Sequence, residues 1–241
     1  MYEEVKYLIA GDRGLVVEFG DEIEEQVNSK IRSLTVVIEQ EGIIGINETI
    51  PTYRSLMVIY DPMIMELDEL IEVIKSIISR MHELKLPGAK VIEIPTLYGG
   101  EYGPDIEYVA DHNKISIDEV IKIHTDTQYL IYMIGFTPGF PYLGGMSDKI
   151  EAPRLQNPRT KIPVGSVGIA GKQTGIYPVE SPGGWQLIGR TPVKLYDPYR
   201  KDPVLLNAGD YIKFVKIDEN EYKNIEALES EGKYKVITRK I

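Results

Sequence analysis

Gly165-Ser166-Val167-Gly168-Ile169-Ala170-Gly171-Lys172-Gln173-Thr174-Gly175-Ile176-Tyr177-Pro178, followed by Ser181-Pro182-Gly183-Gly184-Trp185-Gln186-Leu187-Ile188-Gly189-Arg190-Thr191-Pro192, is a run of short β-type stretches cut by glycine and proline. Gly165 to Ala170, Gly175 to Tyr177 and Gln186 to Arg190 read as strands. Tyr129 to Ile134 upstream, and Val193 to Tyr196 and Tyr211 to Lys216 downstream, continue the series. Many short strands with closely spaced turn signals predict a β-barrel or sandwich. One helix interrupts it. Ser116 and Glu119 stand three apart in the capping-box pattern, and Val120, Ile121 and Ile123 follow, ending near His124. The charged tail, Glu219 to Ile241, reads as a helix and a last strand.

The first ninety-odd residues have a different texture. Tyr7 to Ala10 and Leu15 to Phe19 flank a glycine turn. Ile23, Val27, Ile31, Leu34 and Ile38 recur at helical spacing up to Gln40, and Gly42 stops that helix. Gly45 to Ile50 and Leu56 to Tyr60 read as strands, Leu67 to Met81 as a second amphipathic helix, and Lys90 to Pro95 as a further strand. Two helices covering one face of an antiparallel sheet in the order ββαββαβ predict a ferredoxin-like layer. The fold class expected is therefore α+β: a ferredoxin-like domain over residues 1–95, then a β-barrel or sandwich domain over residues 96–241.

Composition closes off several functions. A hydrophobic share of 43% with 27% charged residues is that of an ordinary globular chain, so disorder is not expected. A net charge of -10 repels phosphate backbones and anionic membranes, which argues against nucleic-acid and membrane partners. There is no cysteine, which removes disulfide, thiolate and Cys-ligated metal chemistry. His82, His112 and His124 lack metal-ligand spacing, so no metal site is expected. No basic leader and no long apolar run are visible, and the chain reads as cytoplasmic.

The residues able to recognise a small molecule lie between Gly135 and Pro192. In Gly135-Phe136-Thr137-Pro138-Gly139-Phe140-Pro141-Tyr142-Leu143-Gly144-Gly145, breakers alternate with aromatics and exclude helix or regular strand. Phe136, Phe140 and Tyr142 then form either a rigid binding wall or core filler. Arg154 and Arg159 suit capture of a carboxylate or phosphate, or else make surface ion pairs; Lys161 reads as a surface ion-pair residue. Gln173, Thr174, Tyr177, Trp185 and Arg190 add donors, acceptors and an apolar plate. Strand alternation from Trp185 to Arg190 puts Gln186, Ile188 and Arg190 on one face. His124 either favours the helix C-terminus electrostatically or lies beside the site. Gly171-Lys172 is no phosphate loop: Gly165 is misplaced, Gln173 follows the lysine, and no helical pattern comes next.

Gly135 to Leu143, Gly165 to Pro178, Ser181 to Pro192 and Asn207-Ala208-Gly209-Asp210 resemble the motifs of the KipI/PxpB family, also called allophanate hydrolase subunit 1. Gly11-Asp12, Val17-Glu18-Phe19-Gly20 and Tyr98-Gly99-Gly100-Glu101-Tyr102-Gly103-Pro104-Asp105 extend the likeness over essentially the whole chain. The resemblance implies a ferredoxin-like domain followed by a cyclophilin-like β-barrel. It implies one subunit of an ATP-dependent 5-oxoprolinase that opens 5-oxoproline to L-glutamate, with a KipA/PxpC-like subunit and a PxpA (LamB/YcsF-like) protein as partners. ATP with Mg is then a substrate of the complex, with no cofactor tightly bound to this chain. Relatives of the same kind inhibit a histidine kinase or act as urea or allophanate carboxyltransferase-type subunits, and these are the alternative readings. No residue is implied as nucleophile or general base. A lactam with a carboxylate calls for a cation, Arg190 or Arg159, and an amide reader, Gln173.

Overall fold

The computed structural model describes residues 1–81 and 88–240. His82 and Pro87, read from sequence at the end of the second helix, lie outside the described residues. The chain divides into two compact units, Met1–Pro87 and Gly88–Ile241.

The first unit contains β1 (Lys6–Ala10), β2 (Gly14–Glu18), α1 (Glu25–Glu41), β3 (Ile46–Pro51), β4 (Ser55–Tyr60) and α2 (Leu67–Arg80). Its antiparallel sheet has the order β1-β2-β4-β3. Leu15, Val17, Leu56 and Val58 point to one face, where Val27, Ile31, Leu34, Leu70, Ile74 and Ile77 of the two helices cover them. The two helical periodicities and the four strands are therefore where the apolar pattern puts them. The strand expected to complete this unit belongs elsewhere: β5 (Lys90–Tyr98) pairs in the second unit's sheet, and none of its partners lies in the first. The boundary placed at residue 95 falls inside that strand. A β-type run carries no mark of which sheet it will join, and the pairing that decides it is long-range.

In the second unit β5 is followed by α3 (Ile106–Asn113), α4 (Ile117–Asp126), β6 (Tyr129–Ile134), β7 (Pro141–Gly144), β8 (Arg159–Ile162), β9 (Ser166–Ala170) and β10 (Gln173–Ile176). Then come β11 (Ser181–Gly183), β12 (Gln186–Arg190), β13 (Tyr211–Lys216), α5 (Glu219–Ser230) and β14 (Thr238–Lys240). The main sheet runs β10-β9-β12-β5-β13-β6-β7, with β14 added to β5; β10 comes back beside β7, so the sheet nearly closes into a barrel. Ile94, Ile131, Val167, Ile169, Ile188, Ile212 and Phe214 fill it, and α3 and α4 contribute Val109 and Val120. Ser116 caps α4 as its sequence indicates, its hydroxyl accepting from the Glu119 N–H at 3.2 Å. Val193 to Tyr196 is not a strand; only an isolated bridge joins Tyr196 to Val204. Pro141 to Gly144 is one, contrary to the reading of that segment as strand-breaking. Pro141 stands at the strand's first position, where the missing N–H costs no ladder bond.

One irregularity positions the site. In β12 Leu187 pairs with Gly168 and Gly189 with Val167, leaving Ile188 as an extra, bulged residue. The turn from Gly99 to Asp105 docks into the bulge. Gly99 N–H donates to Ile188 O at 3.1 Å and Asp105 N–H to Leu187 O at 2.9 Å, while an Asp105 carboxylate oxygen accepts from Leu187 N–H at 2.6 Å. Gly103 lies so close to the Ile188 carbonyl that a Cβ would overlap it. Gly103→Ala should therefore destabilise the second unit by about 1–3 kcal/mol, the usual cost of forcing extra atoms into a packed site. Denaturant unfolding checks this; an unchanged midpoint overturns it.

Candidate functional site: an aromatic pocket on the barrel

Phe140 sits at the hinge between the Gly135–Gly139 loop and β7, and four aromatic rings meet its edge or face. Phe136, Tyr142, Tyr177 and Trp185 stand 5.6, 5.3, 5.9 and 5.9 Å from it, all near perpendicular. Tyr177 and Trp185 also meet each other at 6.0 Å. Ring quadrupoles favour this edge-to-face geometry, with a gain of about 0.5–1.5 kcal/mol per pair beyond area burial. The cluster is separate from the main barrel core and is completed by Ile162 and Leu187.

These rings line a cavity of about 160 Å³, together with Arg154, Gln173, Pro182, Gly183 and Gly184. An apolar cavity of ~150 Å³ is enough to admit a single six-membered ring. Two glycines set the wall thickness. A Cβ on Gly175 would stand 3.0 Å from the Trp185 ring, and one on Gly183 would stand 2.5 Å from the Tyr177 hydroxyl oxygen. Phe136 is 72% exposed and holds a left-handed backbone, φ 66°. An aromatic residue rarely adopts that conformation, and such outliers concentrate at binding sites. The loop is braced beneath it by Gly135 N–H to Phe140 O at 3.1 Å and Phe140 N–H to Thr137 O at 3.0 Å. Burial raises the pKa of the Tyr177 hydroxyl, and the Arg154 charge opposes that rise. The hydroxyl is thus a neutral donor at the cavity wall.

Residues 5–206 match the family model described as carboxyltransferase domain, subdomains C and D. The chain belongs to this family, in its KipI/PxpB branch. Among curated relatives, the B subunit of 5-oxoprolinase from Bacillus subtilis is 47% identical over 230 residues, covering 90% of this chain and 96% of that protein. A conserved uncharacterized protein of Pyrococcus horikoshii, PH0987, is 49% identical over 90% of this chain and all of its own, with a TM-score of 0.54. TTHA0988 is 35% identical with a TM-score of 0.77; the match covers 86% of this chain and 40% of that longer one. Kluyveromyces lactis urea amidolyase, 24% identical, shares the fold at a TM-score of 0.78, over 98% of this chain and 16% of its own.

In this KipI/PxpB member the pocket gathers Phe136, Phe140, Tyr142, Gln173, Tyr177, Trp185 and Arg154. Four other residues read from sequence as belonging to the site, or lying beside it, are elsewhere. Arg159 spends its fork within the protein: one nitrogen donates to Asp105 at 2.7 Å, the other to the Trp185 carbonyl at 3.3 Å. It fixes the tryptophan and does not line the cavity. Arg190 is turned away by the bulge, because one extra residue reverses the alternation and separates it from Gln186. Its guanidinium lies 5.4 Å from the centre of the Tyr102 ring, and its charge and hydrogen bond partly offset the burial that pushes the Tyr222 hydroxyl up to about 12. Arg190 thereby fastens α5 to β12.

Thr174 and His124 form a buried chain. Thr174 donates its hydroxyl proton to Gly168 O at 3.0 Å, so His124 Nε2, 2.9 Å away, must donate to Thr174. His124 Nδ1 then accepts from the Tyr98 hydroxyl at 2.7 Å. Every polar atom of this chain is satisfied inside the barrel, out of reach of the pocket. Asp105 and Gln186, which hold the pocket's frame, were not singled out as site residues by sequence reasoning: their partners are 82 and 33 residues away.

Two outcomes follow for this part of the molecule. Arg190→Lys should lower stability by about 1–2 kcal/mol, through loss of the planar contact and one hydrogen bond, while ligand affinity stays at the wild-type level. Loss of affinity without loss of stability would put Arg190 back in the site. Burial lowers the His124 pKa from 6.5 to about 3. Between those values the unfolded chain takes up a proton that the folded chain refuses. Stability is therefore complete above pH 6.5 and falls by about 1.4 kcal/mol per pH unit toward pH 3 from this group alone. Unfolding at pH 7, 5 and 4 should show a shallower acid slope for His124→Gln than for wild type.

Proposed function

We propose that this chain is the B subunit of an ATP-dependent 5-oxoprolinase, acting with a KipA/PxpC-like subunit and a PxpA (LamB/YcsF-like) protein to open 5-oxoproline to L-glutamate in the cytoplasm. The observation that carries the reading is the near end-to-end match to the Bacillus subtilis protein that bears this subunit's name. The pocket supports it, since an aromatic box of about 160 Å³ with one cation and one side-chain amide suits a small ring bearing a carboxylate. The urea-directed alternative rests on a more distant likeness: the urea amidolyase of Saccharomyces cerevisiae is 27% identical over 97% of this chain and 14% of its own length.

The chain's own residues bind and orient. The aromatic walls exclude water from the ring, and Gln173 offers an amide to the lactam. Opening a lactam requires activation of its oxygen, and ATP with Mg supplies that chemistry in the complex. Among the described residues no three His, Asp or Glu side chains group to hold a metal ion, and no phosphate-binding loop is present. Among the described residues no helix is long and apolar enough to cross a membrane.

Co-expression with the KipA/PxpC-like and PxpA-like proteins tests the proposal. The expected outcome is a co-eluting complex with the KipA/PxpC-like subunit and glutamate release that requires 5-oxoproline, ATP and all three chains. Elution as separate monomers, or turnover of urea in place of 5-oxoproline, would overturn it.

A further inference from the structure

We infer that Arg154 is the anion receptor of the aromatic pocket, and that the pocket takes a single-ring carboxylate rather than a neutral urea-like ligand. The identity of the carboxylate rests on the 5-oxoprolinase reading; the receptor and the ligand class rest on the pocket.

The cations near this end of the barrel are otherwise engaged. Arg159 is held by Asp105, Lys161 pairs with Glu180 at 2.8 Å, and Lys172 pairs with Asp148 at 3.2 Å. Arg154 lines the cavity and has no carboxylate partner among the described residues. In a chain with a net charge of -10, an uncommitted arginine at a concave site leaves its five donors for a ligand. Its field already reaches the wall, where it opposes the rise of the Tyr177 pKa.

The backbone that carries Arg154 is fixed on both sides. The Pro153 carbonyl accepts from the buried Gln186 side chain at 2.8 Å. Leu155 N–H donates to Gly184 O at 2.7 Å, and Ala152 exchanges backbone hydrogen bonds with Gly171. Gln186 is buried, yet its amide serves this strap. Arg154 itself is exposed, and with its backbone anchored in this way less freedom is lost on binding. Gln173 also lines the pocket, and its side-chain amide matches a lactam's donor and acceptor. A neutral ligand would leave the guanidinium without a partner. A ring carboxylate fills the box with its ring and meets the fork with its carboxylate.

Trp185 is the single tryptophan of the chain and forms a wall of the cavity, so its emission reports occupancy directly. The probes are L-5-oxoproline, 2-pyrrolidinone (the same ring without the carboxylate) and urea. They are titrated into the full chain with fluorescence and calorimetry in parallel. Wild type should respond to 5-oxoproline and bind 2-pyrrolidinone and urea at least about tenfold more weakly. Arg154→Gln should weaken 5-oxoproline by about 10- to 100-fold and leave 2-pyrrolidinone unchanged, with Arg154→Lys in between. Equal binding of 5-oxoproline and 2-pyrrolidinone, wild-type affinity in Arg154→Gln, or no binding of 5-oxoproline by either method overturns the receptor. Failure of the function reads differently. A complex that fails to turn over 5-oxoproline while its binding still depends on Arg154 keeps the receptor and removes the enzyme assignment. A complex whose kcat/KM is unmoved by Arg154→Gln keeps the enzyme assignment and removes the receptor.

Discussion

A single extra residue in β12 decides which side chains the barrel offers to its pocket. Ile188 is pushed out of register between Leu187 and Gly189. Leu187 faces the aromatic cluster and Ile188 the main core, by ordinary strand alternation, and the extra residue reverses that alternation from Gly189 onward. Without the bulge, Arg190 would share a face with Gln186. With it, Arg190 turns toward Tyr102 and Tyr222, and Gln186 remains to hold the strap that carries Arg154. The turn from Gly99 to Asp105 stabilises the bulge, and the Asp105 carboxylate reads both of its sides, accepting from Leu187 and from Arg159. The glycine-rich turn that extends the family resemblance thus works as a plug for an irregular strand.

What the sequence made legible was what local physics controls. The helical spacing of Ile31, Leu34, Leu70 and Ile74 placed two helices against one sheet, and the glycine-cut runs after Tyr129 read as a barrel or sandwich, of which the strand order makes a nearly closed barrel. The aromatics of Phe136 to Tyr142 and the segment from Gln173 to Trp185 were recognisable as one site, because breakers concentrate where backbone must bend around a ligand. Two errors are local, the strand read at Val193 to Tyr196 and the one missed at Pro141 to Gly144; the others are long-range. β5 looked like the end of the first unit because its partners β12 and β13 lie about a hundred residues downstream. Arg190 and Arg159 looked like ligand cations because neither the bulge nor Asp105 is visible in the neighbourhood of either residue.

The pocket combines stiff walls with one strained element. Phe140 is held by four rings, and Gly175 and Gly183 let Trp185 and Tyr177 approach without intervening side-chain atoms. Phe136 alone is exposed, on a left-handed backbone that an aromatic residue adopts only when the surrounding loop insists on it. Rigidity in the walls and a solvent-facing ring at the rim are suited to holding a small ligand.

The buried chain from Tyr98 through His124 and Thr174 to Gly168 has a consequence for how the barrel forms. Its members come from β5, α4, β10 and β9, and the His124–Thr174 bond alone spans 50 residues. A half-closed barrel would hold an imidazole already stripped of water and still missing Thr174. Such states are penalised by the cost of an unsatisfied buried polar group. Closure is thereby made all-or-none. Because contacts this distant in sequence slow the search, the second unit should fold later than the locally connected helices and hairpins of the first.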